Sequence, residues 1–381
     1  MMNKIKDHVY DLVLYLATKG PRKKGPGRKL LIVRIDEIGD YILWHNFLAD
    51  LIAGYADSNT TFHFCGNQSW KKLFDQFEKK LVDDSLWIDK NLFKTKMAYR
   101  YRFLRRIYRE GYDTVINPTF SRDKRNDDAI VMAAKAANRI GMHSNQETVR
   151  PYDKGYDRQL YTRLFDHPAK PLFEFYRNRL FTGFATGKQP ATQSTAIDPS
   201  QLPVPPAGLP ENFFVIFPGS RSPSRIWPTA NYLQVADFLF KSFGWTAVVC
   251  GTLSDSVYTG PFVAQYKQPL VDLTGKTSLP DMLAVFSKAK CLLSVDTGSV
   301  HLAAAVQCTV FGIFNGSQYG RFAPYPVELA NNFHAVYPDA VENELKEDPE
   351  AIKKYEFVVP VPYAAVSPEK LTAAISTYYK C

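Results

Sequence analysis

Short apolar runs alternate along this chain with longer segments in which apolar residues recur every three to four positions. The first run, 29–35, is rich in leucine and β-branched residues, and a polar turn at 36–40 separates it from an apolar-periodic segment at 41–54. These patterns predict a strand, a turn and a helix, which is how a parallel α/β sheet begins. The alternation continues with predicted strands over 61–65 and 114–117 and predicted helices over 94–110 and 128–138.

A second series of the same kind follows a break. Residues 181–212 contain six prolines and no apolar period, so this stretch predicts a linker between domains. Beyond the linker the pattern predicts strands over 213–217, 246–250, 290–295 and 309–314 and helices over 229–243, 279–289 and 298–306.

The expected fold class is α/β, with two Rossmann-like domains facing each other across a cleft. A chain of 381 residues exceeds the usual size of a single hydrophobic core. The predicted parts are a leader at 1–28, an N-terminal domain at 29–180, the linker at 181–212, a C-terminal domain at 213–365 and a terminal helix at 366–381. Ligands of open parallel sheets bind at the carboxyl ends of the strands, and the polar motifs of this chain follow strands.

Positive charge is concentrated at the N-terminus. The net charge is +9, and residues 1–29 alone hold eight Lys or Arg against two Asp, a balance of +6. The leader also contains apolar residues at helical spacing, namely Ile5, Val9, Leu12, Val13 and Leu16. Two interpretations follow: a basic amphipathic helix on an anionic membrane surface, or a helix packed on the body of the protein with a solvated basic linker.

The cysteines predict a reducing compartment. Five cysteines are scattered without metal-ligand spacing, and Cys250 and Cys291 lie in strand-like apolar runs, so we expect buried thiols. No apolar run reaches the roughly 18–20 residues that cross a bilayer. The expected location is the cytoplasm, with peripheral association at the inner face of the membrane if the leader binds lipid.

A strand-to-helix junction carries the most informative polar residues. The segment 294–301 places Asp296, Thr297, Gly298 and His301 where a predicted strand ends and a helix begins. The free N–H groups and the positive dipole end of a helix N-terminus favour a phosphate group at such a place. Because no second His, Cys or acid lies at metal-ligand spacing around His301, a phosphate or sugar contact fits this residue better than a metal.

A second polar loop follows the strand predicted at 213–217. Gly219 and Ser220 allow the backbone to approach phosphate oxygens, and Arg225 supplies a charged, forked donor. An ordinary Gly/Pro loop is the alternative. The chain lacks a G-x-x-x-x-G-K-[ST] loop, and its first strand is not followed by G-x-G-x-x-G, so an ATPase or a dinucleotide-dependent dehydrogenase loses its usual support.

Asp40 is the candidate general base. It follows Gly39 at a helix start, which favours an ionised carboxylate, although an ordinary helix cap is the alternative. Basic, aromatic-rich segments contain Arg102, Arg105 and Arg122, which predict either a solvated face or a site for an anionic acceptor. No nucleic-acid-binding module is recognisable, so nucleic acid is not an expected partner.

Together these motifs resemble glycosyltransferase family 9, the heptosyltransferases of lipopolysaccharide core synthesis. The family's opening Ser-Ser-x-Gly-Asp turn corresponds to Asp36-Glu-Ile-Gly-Asp40, and its Asp-Thr-Gly-x-x-His-Leu-x-Ala-Ala signature lies at 296–305. The small-residue loop before Arg225 and Trp-Pro, and the segment Gly275-Lys-Thr-Ser-Leu279, occur in the family's order. The resemblance spans residues 29–326.

The resemblance implies a GT-B architecture and an inverting, metal-independent glycosyltransferase that uses no cofactor. The donor would be a nucleotide sugar, ADP-heptose, bound by the C-terminal domain, and the acceptor would be lipopolysaccharide core or a related lipid-linked glycan on the N-terminal domain. Asp40 would be the catalytic base. The diphosphate would contact Gly219, Ser220, Arg225, Asp296, Thr297, Gly298 and His301; the ribose and base would contact Asp255, Thr277, Ser278 and Leu279; the acceptor would contact Arg102, Arg105 and Arg122.

The catalytic turn departs from the family at Asp36 and Glu37, where hydroxyl residues are usual. Two additional carboxylates can raise one another's pKa, repel an anionic acceptor or share the role of base. Two alternatives to a transferase stay open at this point: a sugar-nucleotide epimerase or hydrolase of GT-B type, which needs no acceptor surface, and a catalytically silent sugar-nucleotide-binding protein. Turnover with a suitable acceptor separates them.

Overall fold

The computed structural model describes residues 2–23, 25, 27–143, 155–168 and 171–380, with backbone only for 2–5. The chain divides into two compact units, the first formed by Met1–Pro168 and Tyr176–Gln193 and the second by Ala169–Phe175 and Ser194–Cys381. Each unit contains one six-stranded parallel sheet. The predicted α/β class with two Rossmann-like domains is confirmed.

In the first unit the strand order is β3-β2-β1-β4-β5-β6. The strands are β1 (Arg28–Arg34), β2 (Thr60–Asn67), β3 (Asp84–Ile88), β4 (Thr114–Asn117), β5 (Asn138–Met142) and β6 (Arg163–Phe165). The helices are α1 (Met2–Ala17), α2 (Ile38–Ile42), α3 (Phe47–Tyr55), α4 (Lys71–Phe77), α5 (Lys90–Thr95), α6 (Met97–Glu110), α7 (Asp127–Ala134), α8 (Tyr156–Leu160) and α9 (Glu174–Thr186), of which the first two residues of α9 cluster with the second unit.

In the second unit the strand order is β12-β11-β10-β7-β8-β9, the same pattern repeated. The strands are β7 (Phe213–Phe217), β8 (Thr246–Val249), β9 (Leu270–Asp272), β10 (Leu292–Val295), β11 (Val310–Ile313) and β12 (Phe333–Val336). The helices are α10 (Thr229–Phe243), α11 (Ser256–Gln265), α12 (Leu279–Phe286), α13 (Gly298–Ala305), α14 (Asp339–Glu347), α15 (Ile352–Tyr355) and α16 (Pro368–Tyr379). The predicted terminal helix is therefore α16, and its Leu371 and Ile375 belong to the core of this unit.

The central strands are buried on both faces. From Leu30 to Val33, four successive side chains of β1 are at most 3% exposed, and β10 and β11 are buried throughout. A strand covered by helices on both sides has no solvent face, so its sequence is continuously apolar and not alternating. This explains why the apolar runs in the sequence located these strands well.

Each sheet has one point where the strand order reverses. That point lies between β1 and β4 in the first unit and between β7 and β10 in the second. Ligands of open α/β sheets bind beyond the carboxyl ends of the strands at such points. The turn after β1 holds Asp36 and Asp40, and the loops after β7 and β10 hold Arg225 and Asp296. The topology therefore brings the predicted site residues of each unit to its ligand-binding edge.

The structure corrects several predicted helices. The helix expected over 41–54 is two helices, α2 and α3, separated by a turn that packs the buried Trp44 beside the Arg34 guanidinium. The helix expected over 94–110 is likewise divided, because Lys96 is extended between α5 and α6. The helix expected over 128–138 stops at Ala134, where Lys135 adopts a left-handed φ of 47°, and β5 begins at Asn138.

The linker predicted over 181–212 is wrong at its start. Helix α9 continues to Thr186, and Phe181 and Ala185 are buried. Two hydroxyls bond back to the preceding turn, Thr182 to the Asn178 carbonyl and Thr186 to the Thr182 carbonyl, both at 2.8 Å. These polar residues therefore lie within the helix, with their hydroxyls bonded to its own carbonyls. The change from first to second unit falls later, after Gln193.

Helix α1 packs on the body of the first unit. Tyr10 and Ala17 are buried, the Tyr10 hydroxyl donates to the Lys94 carbonyl at 2.8 Å, and Asp7 pairs with Arg125 at 2.7 Å. No helix within the described residues is long and apolar enough to span a membrane. The four described cysteines are free and buried, as predicted, and Cys381 lies outside the described residues.

A buried ion network occupies the loop after β4. Arg122 is fully buried, with its Nε 3.0 Å from Asp128 Oδ1, and it also pairs with Asp157. Its Nη1 donates to the Met142 carbonyl at 2.6 Å, while the Tyr161 hydroxyl donates to Asp128. Each nitrogen of this guanidinium has an internal partner and none of its surface is exposed, so the structure does not support the predicted contact of Arg122 with an acceptor.

Replacing Arg122 with Met should destabilise the first unit strongly. The change leaves the carboxylate of Asp128 buried without its cation, for which we expect a loss of about 3–5 kcal/mol in the free energy of unfolding. Denaturant unfolding followed by tryptophan fluorescence measures it. The double variant Arg122→Met/Asp128→Asn should recover part of the loss, because it removes the stranded charge.

Arg106→Met is the matched control. Arg106 is 55% exposed and pairs with Asp84 at 3.4 Å, so its loss should cost less than about 1 kcal/mol. Equal effects of the two single substitutions would show that the Arg122 network does not hold the unit together.

Candidate functional site

Arg34, the last residue of β1, organises the turn that carries the candidate base. Its side chain is fully buried, and its Nη2 donates to the Asp40 carbonyl at 2.9 Å while Nη1 donates to the Pro118 carbonyl at 3.0 Å. Nε lies 2.9 Å from Asp36 Oδ2, and Nη1 is 3.4 Å from Asn178 Oδ1 in α9. One guanidinium thus joins the turn after β1, the loop after β4 and α9.

The two unusual carboxylates of the turn both have cationic partners. Asp36 pairs with Arg34, and Glu37 Oε1 lies 2.8 Å from Lys90 Nζ. Burial raises the pKa of Asp36 well above its usual range; Arg34 lowers it in part, and the charge of Asp40 raises it further. The like charges that raise the pKa of Asp36 belong to Asp40 and Asp127, so a mutual effect of Asp36 and Glu37 stays a prediction. A share of the base role for Asp36 or Glu37 stays a prediction.

Asp40 lies in the first turn of α2, three residues after the N-cap Glu37, and is half-buried. Its backbone is fixed by Arg34, so the position of its side chain is set by a buried contact and not by an exposed loop. The structure therefore keeps Asp40 at the carboxyl edge of β1, where the sequence placed it.

A further carboxylate, Asp127, begins α7 near the same edge. It is 5% exposed, and its Oδ2 accepts from the Asp123 N–H at 2.9 Å, whereas Oδ1 has no hydrogen-bond partner among the described residues. Burial raises the pKa of Asp127 to about 7. Its charge also raises the pKa of Asp36. The site in the first unit is therefore richer in buried acid than the sequence motif indicated.

In the second unit Arg225 and Asp296 meet. Arg225 Nη1 donates to the Asp296 carbonyl at 3.2 Å and lies 3.5 Å from Asp296 Oδ2. Burial raises the pKa of Asp296, while Arg225 and a hydrogen bond from Tyr363 lower it. The Arg225 side chain keeps 35% of its surface exposed, whereas that of Asp296 keeps 9%. Asp296 thus orients a guanidinium that is still accessible to an anion.

The start of α13 adjoins this pair. Thr297 is its N-cap residue but makes no side-chain cap bond, and its Oγ1 lies 2.7 Å from Ser299 Oγ. Ser299 in turn contacts Ser294 Oγ at 2.7 Å. The hydroxyls are therefore linked to one another, and the N–H groups at Thr297 and Gly298 carry no side-chain cap.

His301 is buried inside the second unit. It is 4% exposed, its Nδ1 lies 2.7 Å from the Tyr325 hydroxyl, and burial lowers its pKa to about 3. The imidazole is therefore neutral at physiological pH and adds no positive charge to a phosphate site. A direct contact of His301 with sugar or phosphate stays a prediction.

Gly219 and Asp255 are in close contact. A Cβ at Gly219 would collide with the Asp255 carboxylate, so only glycine lets the loop after β7 pass this side chain. Asp255 Oδ2 accepts from the N–H and hydroxyl of Thr252, each at 2.7 Å, in a capping box. Asp255 therefore has a structural role at the end of β8, and its contact with a ribose stays a prediction. Ser220, 9% exposed, accepts from the Ser222 N–H at 3.2 Å.

The residues predicted to border the base follow β9 at the same edge of the sheet. Thr277, Ser278 and Leu279 are half-buried, and Ser278 caps α12 in a box with Asp281. Of the predicted acceptor residues, Arg102 is exposed on α6, whereas Arg105 donates to the Ala17 carbonyl at 3.1 Å and to that of Lys19. The structure thus assigns Arg105 to holding the end of α1.

Sequence reasoning missed several residues of the two sites, namely Arg34, Lys90, Asp127, Tyr325 and Tyr363. A charged residue inside an apolar strand was the available signal for Arg34, because a buried guanidinium needs partners. The other four have no local pattern. Within the described part of the chain, no cluster of three or more His, Cys, Asp or Glu side chains is arranged to hold a metal ion.

The raised pKa of Asp127 predicts a pH dependence of stability. The ordinary value is 3.8, so between pH ~4 and ~7 the folded chain holds a proton that the unfolded chain has released, and stability falls as pH rises through this window. Asp127→Asn removes this loss. From pH 5 to pH 8 the free energy of unfolding of wild type should fall, relative to that of the variant, by on the order of 2 kcal/mol.

Denaturant unfolding at both pH values measures the difference. Asp84→Asn, at a side chain that is 49% exposed, is the control and should follow the wild-type profile. Parallel profiles for wild type and Asp127→Asn would contradict a buried, protonated Asp127.

Comparisons with known proteins agree with the geometry. Residues 100–348 match the sequence model of Glycosyltransferase family 9 (heptosyltransferase). Over 167 residues the chain is 25% identical to lipopolysaccharide heptosyltransferase 3 of Escherichia coli strain K12, which covers 43% of this chain and 47% of the relative. The chain thus spans about half the length of the curated relatives it matches.

Solved structures share the fold. A family 9 glycosyltransferase from Veillonella parvula superposes with a TM-score of 0.68 at 17% identity, covering 94% of this chain and 98% of that chain. The Escherichia coli heptosyltransferase WaaC with ADP-2-deoxy-2-fluoro heptose gives 0.66 at 19% identity, covering 92% and 99%. The GT-B type of fold is therefore confirmed. Since the family match covers more than half of the sequence, the chain belongs to glycosyltransferase family 9, the heptosyltransferase family.

Proposed function

We propose that this chain transfers a heptose from ADP-heptose to a hydroxyl of lipopolysaccharide core or a related lipid-linked glycan, with inversion and without a metal ion, at the cytoplasmic face of the membrane. The supporting observation is the Arg225–Asp296 pair at the point where the strand order of the second unit reverses. An accessible guanidinium beside a helix N-terminus is suited to a diphosphate.

The donor side is argued from charge. Arg225 supplies a full positive charge, and the N–H groups that open α13 supply partial ones, all at the carboxyl edge of β7 and β10. His301 is neutral and does not add to them. ADP-heptose is favoured as donor because a fold relative was solved with an ADP-heptose analogue.

The acceptor side is argued from Asp40. In an inverting transfer the acceptor oxygen bonds to the anomeric carbon while the bond from that carbon to the diphosphate oxygen breaks. The electron pair leaves with ADP, and the acceptor proton passes to the Asp40 carboxylate. General-base help of this kind contributes on the order of 10²- to 10⁴-fold to the rate.

The two unusual acids of the turn do not exclude an anionic acceptor. Asp36 is neutralised by Arg34 and Glu37 by Lys90, so the turn has partners for both added charges. Repulsion of a phosphorylated glycan is therefore weaker than the sequence alone predicts.

Arg225→Ala should weaken nucleotide binding. Titration of the protein with ADP, UDP, GDP and CDP by calorimetry should show selective ADP binding, and EDTA should not change it because no metal takes part. Loss of one charged, forked contact should weaken ADP binding on the order of 10- to 100-fold. Lys241→Ala, which removes an exposed lysine in the last turn of α10, is the control and should bind like wild type.

Preference for another nucleotide would overturn ADP-heptose as donor. Binding that requires Mg²⁺ would overturn the metal-independent mechanism, and the absence of nucleotide binding would overturn the transferase proposal.

Asp40→Asn should lower kcat on the order of 10²- to 10⁴-fold with ADP-heptose binding little changed, because only the proton acceptor is lost. Glu37→Gln is the matched comparison: its side chain is 45% exposed and paired with Lys90, so we expect turnover within a few-fold of wild type. ADP release with and without an acceptor glycan is the readout.

The reverse ranking would move the base to Glu37. Acceptor-independent ADP release would identify a hydrolase, and binding without any turnover would identify a silent sugar-nucleotide-binding protein.

A further inference from the structure

The outer face of α1 is apolar and open to solvent. Val9, Leu12 and Leu16 are spaced three, four and seven positions apart, so they share one side of the helix. They are 41%, 56% and 48% exposed, and the neighbouring Tyr15 is 57% exposed. A contiguous apolar patch on a protein surface is a candidate interaction site.

The inner face of the same helix is occupied. Leu14 and Ala17 pack on the core of the first unit, where α1 contacts α6 and α7. Tyr10 is buried, with Arg100 over its ring at 4.3 Å. The helix is therefore held in place by one apolar face while a second apolar face stays uncovered. Folding of the first unit does not account for the outer face.

Basic side chains border this outer face. Lys19 is exposed and lies 3.9 Å from the Tyr15 ring centre. Arg105 of α6 reaches the carbonyls at the end of α1, and Arg102 and Arg109, three and four positions away on the same side of α6, are exposed. The apolar stripe thus ends beside a basic rim.

We propose that this surface, formed by Val9, Leu12, Tyr15 and Leu16 with the rim Lys19, Arg102 and Arg109, docks on an anionic phospholipid bilayer. The charge of this region favours a bilayer over a second copy of the chain. Residues 1–29 carry a formal charge of +6, which attracts an anionic bilayer and repels the same basic face of another copy. Stable membrane attachment generally needs two signals, and an apolar stripe with a basic rim supplies both.

The docking surface is linked to the acceptor edge of the first unit. Asp7 of α1 pairs with Arg125 in the loop after β4, and that loop leads into Asp127 at the start of α7. β4 is the neighbour of β1, whose turn carries Asp40. A bilayer under α1 would therefore lie near the edge that receives a lipid-linked acceptor; this last step alone rests on the proposed function.

Vesicle co-sedimentation of the full chain tests the proposal. Wild type should bind phosphatidylcholine vesicles that contain phosphatidylglycerol, bind those of phosphatidylcholine alone weakly, and lose affinity as salt is raised. Leu12→Ser/Leu16→Ser should bind on the order of tenfold or more weakly, because two apolar side chains no longer leave water. Both positions are exposed, so unfolding midpoints should match wild type. Val204→Ser/Val358→Ser is the control, at exposed valines of the second unit, and should bind like wild type.

Three results would overturn the proposal: no vesicle binding by wild type, equal binding by both double variants, or a wild-type dimer in sedimentation that becomes a monomer in Leu12→Ser/Leu16→Ser. Turnover on a water-soluble glycan acceptor separates this proposal from the proposed function. It should be unchanged in Leu12→Ser/Leu16→Ser, and if wild type shows no turnover while vesicle binding follows the expected pattern, the enzyme assignment fails and the docking surface stands.

Discussion

The site in the first unit depends on the burial of one guanidinium. Arg34 has no exposed surface, and its partners come from the turn after β1, the loop after β4 and α9. A buried cation is tolerated only when its donors are met, so each of these segments is held to the position that meets them. The geometry of the turn at 36–40 is therefore set by contacts in the interior of the unit.

In the second unit the buried charged group is an acid, and it too is held by partners from other parts of the chain. Asp296 is a buried acid whose partners, Arg225 and Tyr363, come from different parts of the chain. Here the cation is left partly exposed and the acid is buried. In the first unit the positive charge of Arg34 is used in internal contacts, whereas in the second unit the positive charge of Arg225 is partly exposed to solvent. These two arrangements suit a base and an anion site respectively.

Sequence reasoning found what is encoded locally. The strands before both sites are continuously apolar, and the motifs at 36–40, 219–225 and 296–301 follow them directly, so the edges of the sheets were predictable. Features that depend on packing were not predictable from the sequence. The neutrality of His301, the internal use of Arg122 and the break between α2 and α3 each arise from partners distant in sequence. Short strands such as β6 and β9, three residues each, carry too little pattern to be recognised.

The four described cysteines have a practical consequence. All are buried, and burial raises the pKa of Cys250 and of Cys308 to about 12, so almost no thiolate exists at neutral pH. Since the thiolate is the reactive form, these side chains should not react with maleimide reagents while the protein is folded. With Cys381 replaced by serine, a single cysteine introduced on the outer face of α1 would accept one fluorophore at a chosen site. The four buried cysteines therefore need not be replaced before single-site labelling.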